Sequence, residues 1–271
     1  MNRGLLIRAF RESWPTTLVL GLVLTAAEAI LAFTLPKYGA QLSEQFLQFD
    51  FARGLLKAML GTEVGDRIGP PLFHSIAWVH PVVLALTWAH ALVFCTRVPA
   101  GEVDRGTADA LLSLPVSRWE VFLSETFVWL ISGVAILGAA MIGNFLGGLN
   151  LPGEQRPPLA RLFIVLVNLF CLYVAVGGLA WLISSFVDRR GRALTALFLT
   201  LVALFLLNYL AEVWLPLQKI AFLSPLHYHR PIYVLRSGLW PLRDIGMLLA
   251  AAGAMWAMAG VVFARRDLCT V

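Results

Sequence analysis

Residues 161–186 read RLFIVLVNLFCLYVAVGGLAWLISSF, a run whose only charge, Arg161, stands at its first position. A helix rises about 1.5 Å per residue, so this stretch is longer than the ~30 Å of hydrocarbon in a bilayer. In lipid every backbone N–H and C=O must be bonded internally, which makes such a run a helix. Working outward, runs of the same character occupy about 16–35, 75–96, 119–148, 193–216 and 244–264. The 119–148 run exceeds what a crossing needs, so it is expected to begin in the interface and to tilt or break. The prediction is an all-α integral membrane bundle of six transmembrane helices, forming a single domain over residues 1–271.

Composition agrees. Of 271 residues, 59% are hydrophobic and 14% charged, and the mean hydropathy is +0.78. Soluble domains carry roughly a quarter charged residues because their surface faces water. The net charge of +5 comes from arginines at the edges of apolar runs. Anionic headgroups and membrane orientation account for them there, and nucleic acid is not an expected partner. Cys95, Cys171 and Cys269 are far apart and lack metal-ligand spacing, so no structural disulfide is expected.

Residues 1–14 interleave Arg3, Arg8, Arg11 and Glu12 with Leu5, Leu6, Ile7, Phe10 and Trp14. This suits an N-terminal amphipathic interfacial helix, with Trp14 and Pro15 marking the entry to the first span. The basic start and Ala27-Glu28-Ala29 imitate a signal peptide, but apolar character resumes through Ile30-Leu31-Ala32-Phe33, as a full span requires. With both termini in the cytosol, the inner segments hold 11 Lys/Arg in 50 residues and the outer segments 10 in 75. Positive charge favours the inside, so this orientation is preferred, helped by the short Asp188-Arg189-Arg190-Gly191-Arg192 turn. In the outer segment 37–72, Phe51, Leu55, Leu56 and Met59 recur at helical spacing and predict an amphipathic helix on the outer leaflet. In 217–243, Pro225, Pro231 and Pro241 break any span, while Tyr228, Tyr233 and Trp240 suit the headgroup zone.

The inner stretch between the second and third spans reads GEVDRGTADALLSLPVSR over residues 101–118. Thr107 can cap a helix whose first turn holds Asp109, and Pro115 ends it. The resulting helix, about 107–114, presents Leu111, Leu112 and Leu114 at the cytosolic face. Two readings fit: a plug for an apolar groove on a partner, or a loop helix folded back on its own bundle.

This stretch resembles the segment of type-2 ATP-binding-cassette (ABC) exporter permeases in which an acid precedes Gly-Thr, then Leu-Leu, then Pro-x-Ser-Arg. The matching residues are Glu102, Gly106, Thr107, Leu111, Leu112, Pro115, Ser117 and Arg118. Phe263-Ala264-Arg265-Arg266-Asp267-Leu268 is similar to the basic-basic-Asp-Leu ending of that family's last span, and Leu223-Ser224-Pro225-Leu226-His227-Tyr228 to the segment before it. The resemblance covers the chain in layout. It implies an exporter permease in a bacterial or archaeal plasma membrane, paired with a second copy or a homologous permease and with two ABC ATPase subunits. The 107–114 helix would then be a coupling helix seated in an ATPase cleft. No Gly-x-x-x-x-Gly-Lys-Ser/Thr phosphate loop occurs in the sequence. ATP and Mg are therefore expected on the partner, with no cofactor and no catalytic residue in this chain.

Other residues invite chemistry. His74, His80 and His90 lie around the second span, and His227 and His229 in an outer loop. None shows the i,i+4 spacing of helical metal ligands, so no metal is expected. Glu28 is the only acid deep inside a predicted span. It belongs on a transport path or in a hydrogen-bonded contact between helices. Asn144, Asn168 and Asn208 can bridge helices. Gly143 with Gly147, and Gly246 with Ala250 and Ala254, permit close backbone approach, within the chain or between subunits. The rivals to a permease are a membrane enzyme built on the outer histidines and a non-transporting anchor for a cytosolic partner.

Overall fold

The computed structural model describes residues 2–46, 49, 54, 60, 69–107 and 115–266, except the side chains of 40–46 and 213. The described residues are helical with irregular connections. They contain α1 (Arg3–Phe46), α2 (Pro70–Val79), α3 (Pro81–Cys95), α4 (Gly101–Asp104), α5 (Arg118–Gly148), α6 (Leu159–Phe186), α7 (Arg190–Val213), α8 (Leu215–Gln218), α9 (Pro231–Ser237) and α10 (Leu242–Arg265). Among the described residues, six segments are long and apolar enough to cross a membrane: α1, α2 with α3, α5, α6, α7 and α10.

Two elements differ from the sequence reading in ways proline chemistry explains. The amphipathic stretch before residue 15 and the first span are one continuous helix of 44 residues that contains Pro15 and Pro36. Each proline removes one backbone hydrogen bond, a loss that a helix packed among neighbours tolerates. The segment 37–72 therefore opens as the last turns of α1; its expected amphipathic helix, with Phe51, Leu55, Leu56 and Met59, lies outside the described residues. The second span is broken instead. His80, with φ −58° and ψ 134°, separates α2 from α3, because the residue before Pro81 is pushed out of the helical region. The His80 imidazole caps the new helix by accepting from Val82 N at 3.3 Å. The long third run is one unbroken helix of 31 residues.

The core lies around α6. Tyr173 and Trp181 of α6, with Trp129 and Phe122 of α5, are fully or almost fully buried. The largest pairings are α1 with α5 and α6 with α10. The α1–α5 contact depends on missing side chains. A Cβ at Gly143 would stand 2.2 Å from the Thr25 carbonyl oxygen, and one at Gly147 equally close to that of Ala29. Only glycine lets the two backbones meet there. By contrast, Gly246 has open space around it, and Ala250 and Ala254 face outward.

Arginine closes many of the helix ends. The last carbonyls of a helix lack intrahelical partners and carry its negative dipole end. Arg190 donates to Val93 O at the end of α3, and Arg156 to Leu149 O and Leu151 O beyond α5. Arg266 donates to Ser185 O at the end of α6, Arg161 to Leu235 O in α9, and Arg118 to the carbonyls of Phe263, Ala264 and Arg266 at the end of α10. The guanidinium fork supplies several donors where water is scarce.

Candidate functional site

The 101–118 stretch is held at both flanks. On the entry side, α4 is a single turn that carries Glu102, 3% exposed. One Glu102 oxygen accepts from Arg8 at 2.7 Å and from Arg105 at 2.6 Å. The other accepts from the Thr107 hydroxyl at 2.5 Å, while Thr107 N–H reaches Glu102 O at 3.0 Å. Gly106 stands between them with φ +67°, a left-handed turn that suits glycine. Burial raises the Glu102 carboxyl, but the Thr107 hydroxyl and the Arg8 and Arg105 guanidinium groups together outweigh it and hold it below the usual carboxylate range.

On the exit side, Pro115 is exposed in a bend. Ser117 then caps α5 in a reciprocal box: Glu120 N donates to its hydroxyl at 3.1 Å, and its own N–H donates to the Glu120 carboxylate at 2.9 Å. The Ser-x-x-Glu spacing announces that box in the sequence. Arg118 binds the end of α10, and Arg266 in turn pairs with Asp188 beyond α6. The expected anchors Leu111 and Leu112, with the rest of 108–114, lie outside the described residues, as do Asp267 and Leu268.

Behind the entry flank lies a cluster that the sequence reading missed. Arg8 also binds Glu12 at 2.9 Å. Glu12 binds Arg97 at 2.7 Å, and Arg97 binds Glu125 of α5. The order Arg105, Glu102, Arg8, Glu12, Arg97, Glu125 thus alternates in sign across α4, α1, the turn after α3, and α5. Arg97 and Glu125 are 7% and 4% exposed, so each charge relies on the other. Glu125 is a second buried acid in the spans beside Glu28.

Deeper in the bundle the polar groups are neutral or singly partnered. Glu28 is fully buried. Asn144 Nδ2 donates to its Oε2 at 2.9 Å, and its Oε1 has no partner. One turn toward the start of α1, the Thr25 hydroxyl donates to Ala139 O at 3.0 Å. A further chain joins α1, α3 and α6. The Thr17 hydroxyl donates to Ser13 O, so it must accept from His90 Nε2–H at 3.0 Å. His90 Nδ1 then accepts from the Tyr173 hydroxyl at 3.0 Å. The network places a proton on Nε2 and gives both ring nitrogens a partner.

The histidines 74, 227 and 229 are separate fixtures. His74 Nε2 donates to Gln155 O at 3.0 Å. His229 is bonded to Asn168 Oδ1 at 2.8 Å, and Asn168 Nδ2 donates to Tyr228 O. Burial lowers His229 to about 4, and His227 pairs with Arg230. Among the described residues no three His, Cys, Asp or Glu side chains are grouped to hold a metal ion. An apolar cavity of about 410 Å³ opens between α3 and α7, lined by Leu84, Trp88 and Leu92 on one side and Phe198, Leu201 and Phe205 on the other.

A family model described as ABC-2 family transporter protein matches residues 8–268. No curated protein and no solved structure matches the chain.

Proposed function

The chain belongs to the ABC-2 family of transporter permeases, and from that premise we propose that it is the membrane half of an exporter driven by a separate ATPase. That it is a multi-pass membrane protein and a transmembrane subunit of an ABC transporter follows from the family and its six apolar helices. The finer reading is ours. Two permease domains, two copies or a homologous pair, stand on two ABC ATPase subunits in a bacterial or archaeal plasma membrane, with both termini in the cytosol. The segment 107–114 is the coupling helix, and Leu111 and Leu112 are its apolar anchors in the ATPase groove. ATP-driven closure of the ATPase pair moves the coupling helices and rocks the bundles apart.

One observation carries this reading. The 101–118 segment is tied to the bundle at both ends by charged hydrogen bonds, at Glu102 on one side and Arg118 on the other. A loop needed only to join two spans requires neither tie. Glu28 belongs to the same proposal as a residue beside the path, since its Oε1 has no partner and can bind a group exposed when α1 and α5 move.

The test is the double change Leu111→Ala and Leu112→Ala, followed by copurification with the ATPase and by substrate-stimulated hydrolysis. Each truncated anchor should cost about 2–5 kcal/mol at a buried site, so association or coupling should collapse. A folded double variant that keeps both refutes the coupling-helix assignment. Orientation has its own test: an impermeant thiol reagent applied from outside should reach a cysteine at Ser43 and miss one at Ser113.

A further inference from the structure

The geometry points to Arg8, Glu12 and Arg97 as positioning residues for coupling: they make the inner end of α1 a brace that moves with the 101–118 segment. The inference rests on the permease reading above and adds a part of the molecule to it.

The argument starts from connectivity. Glu102, at the entry of the segment, is bound by Arg8 of α1 at 2.7 Å. Glu125, two turns past the exit, is bound by Arg97. Glu12 joins the two halves through its two oxygens, one to Arg8 at 2.9 Å and one to Arg97 at 2.7 Å. The ion pairs therefore run from one flank of the segment, through α1, to the other. Charged hydrogen bonds of this kind are short and directional. The centre of the path is not free to drift, because Arg97 also lies over the Phe94 ring at 5.2 Å. Displacing α4 by an ångström or two must either drag the first turns of α1 along or break the Arg8–Glu102 pair. Breaking it takes from Glu102, which is 3% exposed, one of its two guanidinium partners and leaves it Arg105 and Thr107, and weakening the pairing of a buried charge is costly. Moving together is the lower-energy course.

Arg8 is the place to cut. Its side chain is 30% exposed and is the link from α1 to Glu102; in Arg8→Ala, Glu102 keeps Arg105 and Thr107 and Glu12 keeps Arg97. The experiment is hydrogen exchange on the full chain with its copurified ATPase in lipid nanodiscs, with and without ATP and vanadate. In the wild type, nucleotide trapping should change exchange at residues 3–14 and at 101–118 together, by on the order of 5-fold or more. In Arg8→Ala the change at 101–118 should persist, while that at 3–14 falls below about 2-fold. Arg8→Lys, which keeps the charge, should restore the joint response.

Joint change in Arg8→Ala overturns the brace, as does a wild type in which the two segments respond separately or not at all. Loss of the ATPase from the Arg8→Ala complex also overturns it, since Arg8 would then be a docking residue. Failure of any ABC ATPase to copurify with the wild type is distinguishable from these, because it sinks the permease reading and this inference with it.

Discussion

The α1–α5 pair handles acidic residues in two opposite ways along its length. At the end where α1 begins, which is the inner end on the proposed orientation, Glu12, Glu102 and Glu125 are matched by Arg8, Arg97 and Arg105 in an alternating chain of ion pairs. Deeper along the same pair, Glu28 meets a single amide, Asn144, and keeps one oxygen without a partner. Near the interface, charge can be retained because arginines reach it and water borders it. At depth an ionised pair would cost more than its attraction returns, and packing takes over: the glycines 143 and 147 bring the backbones into contact around the lone carboxyl. The inner end is thus held by electrostatics and the deep layer by fit.

Four changes test that contrast. Arg97→Met should be the most damaging, because it leaves Glu125 buried and unpaired; loss of about 3–5 kcal/mol is expected, read as a large fall in the thermal transition in detergent. A mild effect would mean that the inner end is not electrostatically held. Gly143→Val should come next. The added Cβ meets the Thr25 carbonyl at 2.2 Å, and overpacking of this kind costs about 1–3 kcal/mol or somewhat more. A variant of wild-type stability would show that the helices separate easily at that level.

Glu28→Gln should cost under about 1 kcal/mol in stability, since an amide can keep a hydrogen bond to Asn144. On the reading of Glu28 as a path residue, the same variant should alter transport or its pH dependence. Glu28→Gln as damaging as Arg97→Met would place a working charge in the deep layer and erase the contrast. The smallest effect concerns acid. The Glu102 carboxyl is held below its ordinary 4.5, so its folded pKa lies under its unfolded one. Its contribution is then fully present above about pH 4.5 and fades as pH falls through the folded value. Glu102→Gln should flatten the acid side of the stability profile and leave neutral pH little changed apart from the lost pairs. An unaltered acid limb would show that Glu102 is not held as an ion.

The six crossings were legible in the sequence because hydropathy is local: each run declares itself without its neighbours. The break at His80 was half legible. Pro81 was in view, but the apolar run continues across it and hides the change of backbone. Pro15 misled in the other direction, since it reads as a boundary and yet sits inside α1. The flanks of the 101–118 segment carried their own signals, Gly106 for a left-handed turn and Ser117 with Glu120 for a cap. The ion-pair path did not. Glu12 and Arg97 are 85 positions apart, and only the packing of α1 against α3 and α5 brings them together. Arg97 reads along the chain as one more basic residue at a membrane edge. Its burial, and with it its importance, is a property of the assembled bundle.

The length of α1 has a mechanical consequence. Its 44 residues make a rod of roughly 66 Å at about 1.5 Å per residue, twice the thickness of the oil it crosses. Pivoted at its middle, such a rod swings each end by about 3 Å for a tilt of about 5°. The glycine seam with α5, at Thr25 and Ala29, lies close to that middle and is the natural fulcrum. If α1 moves as one body, as the proposed coupling requires, a displacement of its first turns is returned with opposite direction and similar size at its other end.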